Sequence, residues 1–264
     1  MHFWKAHAYG NDFLYATMQE AVGRDWADLA RRMCARTTGI GADGLILFEP
    51  TADGARMRLH NTDGSIAEVS GNGVRGLGAI LAQQRAESPG AVITVETDAG
   101  PKRLDLQRYE AGTRRPVFRA AMGQPERLAR QEIDVEGRLL PLVTLWMGNP
   151  QAVWLVETLE THEMLRVGAA LQRHPAFPDA VNVELARVAA PGVVEILIYE
   201  RGVGPTSSSG TGSCAAAVAA AAYGGAARDL EVVAPGGRQR VEWLDDGVYL
   251  TGWAEVVCEG AWLG

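Results

Sequence analysis

Ser70-Gly71-Asn72-Gly73 and Ser209-Gly210-Thr211-Gly212 are two copies of one short phrase, each opening a run of small residues: VRGLGAILAQQ at 74–84 and SCAAAVAAAAY at 213–223. A glycine turn followed by a small-residue helix presents backbone N–H groups at the positive end of a helix dipole, the arrangement that binds anions. One S-G-x-G is weak, because Ser, Gly and Asn are ordinary turn residues. Two copies that keep the turn, the hydroxyl and the helix together point to an internal repeat of half-domain size. The expectation is two pseudo-symmetric halves, with the two helix ends facing each other to grip one carboxylate.

The composition suits this. With 264 residues and 47% hydrophobic content the chain can bury a large core in one or two domains. No apolar run approaches the roughly 20 residues of a membrane span, and the opening MHFWKAHAYGNDF lacks the charged-then-apolar pattern of a signal peptide. A cytoplasmic protein with no membrane partner is expected. A net charge of −7 without a Lys/Arg cluster argues against nucleic acid. Cys34, Cys214 and Cys258 are odd in number and form no CxxC, and the five histidines (His2, His7, His60, His162, His174) show no ligand spacing. Reduced core cysteines and no metal are expected.

Along the chain, short strands outnumber helices. Asp25 can cap a helix carrying Trp26, Leu29, Ala30 and Met33 on one face, with Gly39 ending it. Leu45–Phe48 reads as a buried strand and Arg56–His60 as an alternating one before the turn Asn61-Thr62-Asp63-Gly64. The segments 91–97 and 103–109 read as a hairpin pair. The second half repeats this logic in strands at 142–147, 152–156, 181–188 and 193–200. One long helix per half follows each S-G-x-G. The polar stretch Glu110–Arg115 marks a boundary between halves at 1–115 and 116–247, and the tail at 248–264 reads as a strand returning to the first half.

Two motifs mislead. Gly39-Ile40-Gly41-Ala42-Asp43-Gly44 matches G-x-G-x-x-G, but it follows a helix and precedes a strand, the reverse of a dinucleotide fingerprint. Ser209 lacks the G-x-S-x-G elbow of a serine hydrolase.

The phrases Lys5-Ala6-His7-Ala8-Tyr9-Gly10-Asn11-Asp12-Phe13, Gly39 to Gly44, Asn61-Thr62-Asp63-Gly64-Ser65, Gly71-Asn72-Gly73-Val74-Arg75, Gly148-Asn149-Pro150, Glu200-Arg201-Gly202 and Gly210-Thr211-Gly212 together resemble the diaminopimelate epimerase family across nearly the whole chain. The resemblance implies an α/β fold of two pseudo-symmetric halves, each a small, mainly antiparallel, barrel-like sheet around a central helix, with the ligand between them. It also implies inversion of an amino-acid α-carbon without cofactor or metal. Two facing cysteines do this in the family, one removing the α-proton as thiolate and the other delivering a proton from the opposite side. The helix ends stabilise the developing enolate. A small amino-acid substrate and a homodimer follow by the same analogy.

By that resemblance the catalytic positions are Ser70, Ser209, Glu200 and Gln151. The substrate-binding positions are Asn11, Asn61, Gly71, Asn72, Gly73, Asn149, Asn182, Arg201, Gly210 and Thr211. The departures fall on the chemistry: serine stands at 70 and 209 where the family pattern has cysteine, and Gln151 stands where it has histidine. A thiol titrates near ~8.5 and an alcohol far higher. At about 1.4 kcal/mol per pKa unit, an alkoxide base loses decades of rate. The expected function is therefore a slow or altered diaminopimelate-epimerase-like isomerase. The alternatives are a related amino-acid or hydroxyproline epimerase, racemase or dehydratase on the same fold, or a ligand-binding paralogue without turnover.

Overall fold

The computed structural model describes residues 1–109 and 114–264. The expected boundary stretch Glu110–Arg115 thus falls, in its first four residues, outside the described residues. The chain forms two compact units, Met1–Ala120 with Gly252–Gly264, and Ala121–Thr251.

In the first unit, β1 (His2–Ala8), β2 (Asn11–Thr17), α1 (Trp26–Cys34), β3 (Gly44–Pro50), β4 (Gly54–Asn61), the two-residue β5 (Ile66–Ala67), α2 (Gly71–Gln84), β6 (Val92–Thr97), β7 (Gly100–Arg108) and β8 (Val117–Gly123) follow in order. In the second, β9 (Glu126–Val135), β10 (Arg138–Trp146), β11 (Pro150–Leu155), α3 (Thr161–Leu171), β12 (Asn182–Ala190), β13 (Val193–Glu200), the short β14 (Gly204–Thr206), α4 (Gly210–Tyr223), β15 (Asp229–Ala234), β16 (Gly237–Leu244) and β17 (Gly247–Trp253) do the same. The closing strand β18 (Glu255–Ala261) pairs antiparallel with β1. The tail is therefore two strands where the sequence suggested one, because Ala254 leaves the strand pattern between them.

The repeat is topological. Strand pairs run β18-β1-β2-β3-β4-β6-β7-β8 in one unit and β9-β10-β11-β12-β13-β15-β16-β17 in the other. Each has two parallel pairs at matching places, β2 with β3 and β4 with β6, then β11 with β12 and β13 with β15. A parallel pair needs a crossover, and a helix fills each one: α1 and α2, then α3 and α4. Asp25 caps α1 by accepting from the amides of Ala27 and Asp28, as expected. The helix stops at Ala35, four residues short of Gly39. The sequence reading passed over α3.

Both long helices run inside their sheets. α2 packs on β1, β2, β18, β6 and β7, and α4 on β10, β11, β12, β13, β15 and β16. Eleven of the 14 residues of α2 are buried, and a helix so enclosed has no polar face to keep. Small residues make the fit possible: a Cβ on Gly76 would lie 2.1 Å from the Tyr15 hydroxyl. In the second unit alanines 215–217, 219 and 220 meet Val143, Ile196, Ile198, Val232 and Leu250 in one core.

Candidate active site

Ser70 and Ser209 occupy the same structural place in their units. Each is the N-cap of its enclosed helix, in extended backbone with φ −128° and −136°, and each Oγ accepts from the amide of the third helical residue: Gly73 N at 3.2 Å, Gly212 N at 3.3 Å. Extended backbone and a short side-chain oxygen are what a cap requires, so serine at these positions suits the local structure by itself. The amides of Gly71 to Gly73 and Gly210 to Gly212 form the first turns of the two helices, where backbone donors lack intrahelical partners.

Around Ser70, Asn72 is buried and donates to Asn11 Oδ1 at 3.0 Å. Asn11 donates in turn to Asp43 at 2.8 Å, and Arg75 donates to Asn72 Oδ1. Asn11 and Asn72 are thus brought together with the cap. Asn61 ends β4 and donates to Ser65 Oγ at 3.0 Å, closing its own turn. No hydrogen bond joins it to the others among those described.

The second unit gathers more. Gln151, on β11, donates to Asn149 Oδ1 at 2.5 Å, and Asn149 donates to Thr211 Oγ1 at 3.4 Å. Asn182 begins β12, donates to the Pro150 carbonyl at 3.2 Å and accepts from the Arg201 amide at 2.9 Å. Glu200 Oε1 accepts from Thr206 Oγ1 at 2.8 Å. Arg201 is exposed and donates to the Asp179 carbonyl at 3.3 Å. Gln151 and Arg201 share the wall of a cavity of about 690 Å³ with Trp146, Phe177 and Asp179.

One buried group was passed over. Glu184, the third residue of β12, is fully buried, and its Oε1 lies 2.5 Å from where a Cβ on Gly212 would stand. Burial, and then the neighbouring Glu200 carboxylate, hold its carboxyl well above the usual range. A sequence signal existed: an acid in the middle of VNVELARV, a strand otherwise fit for burial. The same register position of the first unit holds Ile46, whose Cδ1 lies 2.7 Å from the Cβ site of Gly73.

Among the described residues, no group of three or more His, Cys, Asp or Glu side chains could hold a metal ion, and no helix is long and apolar enough to cross a membrane.

The fold of two repeated, sheet-wrapped helices has solved counterparts. A probable proline racemase from Agrobacterium radiobacter superposes with a TM-score of 0.75 at 18% identity, over 99% of this chain and 92% of that one. A hydroxyproline epimerase from Agrobacterium vitis does so at 0.67 and 17%, over 98% and 91%. At such identity the likeness speaks for the fold. The diaminopimelate epimerase family model matches residues 3–128 and 143–257. Curated diaminopimelate epimerases of Desulforudis audaxviator and Desulfitobacterium hafniense are 40% and 38% identical, covering all of this chain and 99% and 98% of their own lengths. The chain belongs to the diaminopimelate epimerase family, and it is an isomerase of the epimerase type.

Proposed function

We propose that this chain inverts the α-carbon of diaminopimelate, LL to meso, in the supply of lysine and peptidoglycan precursors, and does so slowly. The observation that carries this reading is the matched pair of serine caps, one on each enclosed helix, at the positions where the family pattern has its thiols. In this reading the Gly71–Gly73 and Gly210–Gly212 amides and Thr211 hold the reacting carboxylate. Arg201, Asn61, Asn149 and Asn182 hold the distal amino and carboxylate groups, Arg201 through its bidentate fork. By the family resemblance, Ser70 and Ser209 are the two proton-transfer positions.

Inversion breaks the Cα–H bond, leaves its electron pair in an enolate, and forms a new Cα–H bond from the other face. The enolate is stabilised by helix-end amides preorganised toward the carboxylate. The weak step is proton removal. A serine hydroxyl must become an alkoxide, and the cap bond from the Gly73 or Gly212 amide favours that anion only in part. By the family resemblance, Glu200 is the carboxylate that takes part in proton transfer. We further infer a cytoplasmic homodimer, by analogy with the family.

Incubation with LL- and meso-diaminopimelate in D₂O, read by NMR, tests this. Slow deuterium wash-in with inversion is expected, and Ser70→Cys with Ser209→Cys and Gln151→His is expected to accelerate it by at least about a hundredfold, the scale of two lost pKa units. Failure of the triple variant to epimerise would sink the reading. Exchange with proline or hydroxyproline alone would move the assignment to the sister reactions.

A further inference from the structure

Glu184, Gln151, Asn149 and Thr211 form one line of polar side chains. The end of the Gln151 amide that faces Glu184 lies 3.0 Å from Oε1 and 3.3 Å from Oε2, and its other end lies 2.5 Å from Asn149 Oδ1. Asn149 continues to Thr211 Oγ1 at 3.4 Å. Amide oxygen and nitrogen are interchangeable in shape, so hydrogen-bond logic decides their order. Two orders satisfy the line, and they run in opposite directions.

With Glu184 protonated, its O–H donates to Gln151 Oε1, Gln151 Nε2 donates to Asn149 Oδ1, and Asn149 Nδ2 donates to Thr211 Oγ1. The Thr211 hydrogen is then left for a ligand. With Glu184 ionised, Gln151 must turn its Nε2 to the carboxylate and Asn149 must turn to follow. Gln151 Oε1 then accepts from Thr211 Oγ1 across 3.2 Å, and the Thr211 hydrogen is used up.

We propose that Glu184 is a positioning residue: as a carboxylic acid it orients the Gln151–Asn149–Thr211 line so that Thr211 donates to a ligand carboxylate at the start of α4. This rests on the reading above, that a carboxylate binds there. Burial dominates the choice of protonation state. A helix N-terminus favours an anion, but complete burial away from water opposes the charged carboxylate more strongly, and it is the largest influence on Glu184. Among the described residues, the elements packed round Glu184, β11, β13 and α4, carry no cationic side chain. Its register partners are Val153 on β11 and Ile198 on β13. β11 otherwise presents the neutral Gln151, and α4 holds no charged residue, its titratable groups being the Cys214 thiol and the Tyr223 phenol. β13 presents the Glu200 carboxylate, which opposes a second negative charge. An ionised Glu184 would also repel the ligand, so charge and hydrogen-bond direction act together. Gln151 in this account replaces an acid–base side chain with an amide that transmits direction.

The test uses the full-length protein with ¹³C-labelled glutamate carboxyls, Glu184 being assigned by difference from Glu184→Gln, together with the side-chain amide resonances of Gln151 and Asn149 as pH is raised. Glu184 is expected to remain protonated at about pH 6, where a free glutamate has ionised, and both amides should shift when it titrates. LL-diaminopimelate affinity by calorimetry should fall about tenfold per pH unit above that titration. In Glu184→Gln, whose amide donates at every pH, the fall should vanish. Thr211→Val should weaken and flatten the affinity while Gln151 still follows Glu184, which covers a poorly folding Glu184→Gln. A Glu184 already ionised at about pH 6, or amides that ignore its titration, would overturn the proposal. If diaminopimelate fails to bind but acetate shifts the Thr211 resonance with the same pH dependence, the substrate reading fails and the positioning role stands. Indifference of Thr211 to both would refute the role.

Discussion

The Gly73 and Gly212 positions show how a single side chain divides two copies of one motif. Each glycine is the third residue of a capped helix. One packs over the aliphatic end of Ile46 and the other over the carboxyl of Glu184, so the repeat is symmetric in backbone and asymmetric in chemistry. The cysteines make the opposite point. Cys34 is buried, and that burial, then the carboxylates of Asp12 and Asp43, push its thiol up to about 12. Cys214 is buried and Cys258 exposed. Thiolate is the reactive form. A disulfide exchange reagent at about pH 8 is therefore expected to titrate one thiol in the native protein, lost in Cys258→Ser, and three after unfolding. Fast reaction of Cys34 in the folded chain would contradict the packing around α1.

At the scale of the element, α2 and α4 solve one problem in two ways. Both must lie inside a sheet that leaves little room. α4 does it with alanine. α2 does it with glycine, accepting the lower helix propensity of Gly76 and Gly78, about 1 kcal/mol each relative to alanine. Ordinarily Gly76→Ala would recover that amount. Here its Cβ would meet the Tyr15 hydroxyl, which is fully buried and donates to the Gly73 carbonyl at 3.0 Å, so neither side can give way cheaply. Gly76→Ala is expected to lower stability by about 1–3 kcal/mol in urea titration. A stabilised variant would mean that Tyr15 is free to move.

For the whole molecule, two buried acids act on stability in opposite senses. Asp12 is held below the usual carboxylate range. Burial would raise it, and hydrogen bonds from Arg36 and Lys5 outweigh that. Its contribution is present above the unfolded value of about 4 and is lost as pH falls through the lower folded value. Glu184 is raised. The unfolded chain ionises first as pH climbs past about 4, and stability falls from there until the folded carboxyl itself ionises. Thermal melts should therefore show Asp12→Asn less stable than the parent near neutrality and converging with it as pH falls below the unfolded value of about 4 and through the lower folded one. Glu184→Gln should gain on the parent as pH rises past the unfolded value of about 4, where the unfolded carboxyl ionises and the folded one does not. Parallel curves for Glu184→Gln at all pH values would mean that Glu184 is ionised in the fold.

The duplicated S-G-x-G determined two repeated halves and a helix after each phrase, and the ordered motifs from Lys5–Phe13 to Gly210–Gly212 determined the family to which the chain belongs. These are local properties. Glycine turns, caps and apolar periodicity act within a few residues, and motif order survives without coordinates. The end of α1, the division of the tail into β17 and β18, and α3 lay beyond that reading, because strand pairing and packing set such limits. Only tertiary structure decided what surrounds the second cap. Glu184 and Gln151 are 33 residues apart in the chain and Gln151 and Thr211 are 60 apart. They meet because parallel pairing of β11 with β12 sets Gln151 beside Asn182, two residues from Glu184, while α4 lays Gly212 over the carboxyl. Burial then raises the Glu184 carboxyl above its ordinary range, and burial is a property of the packed sheet around α4.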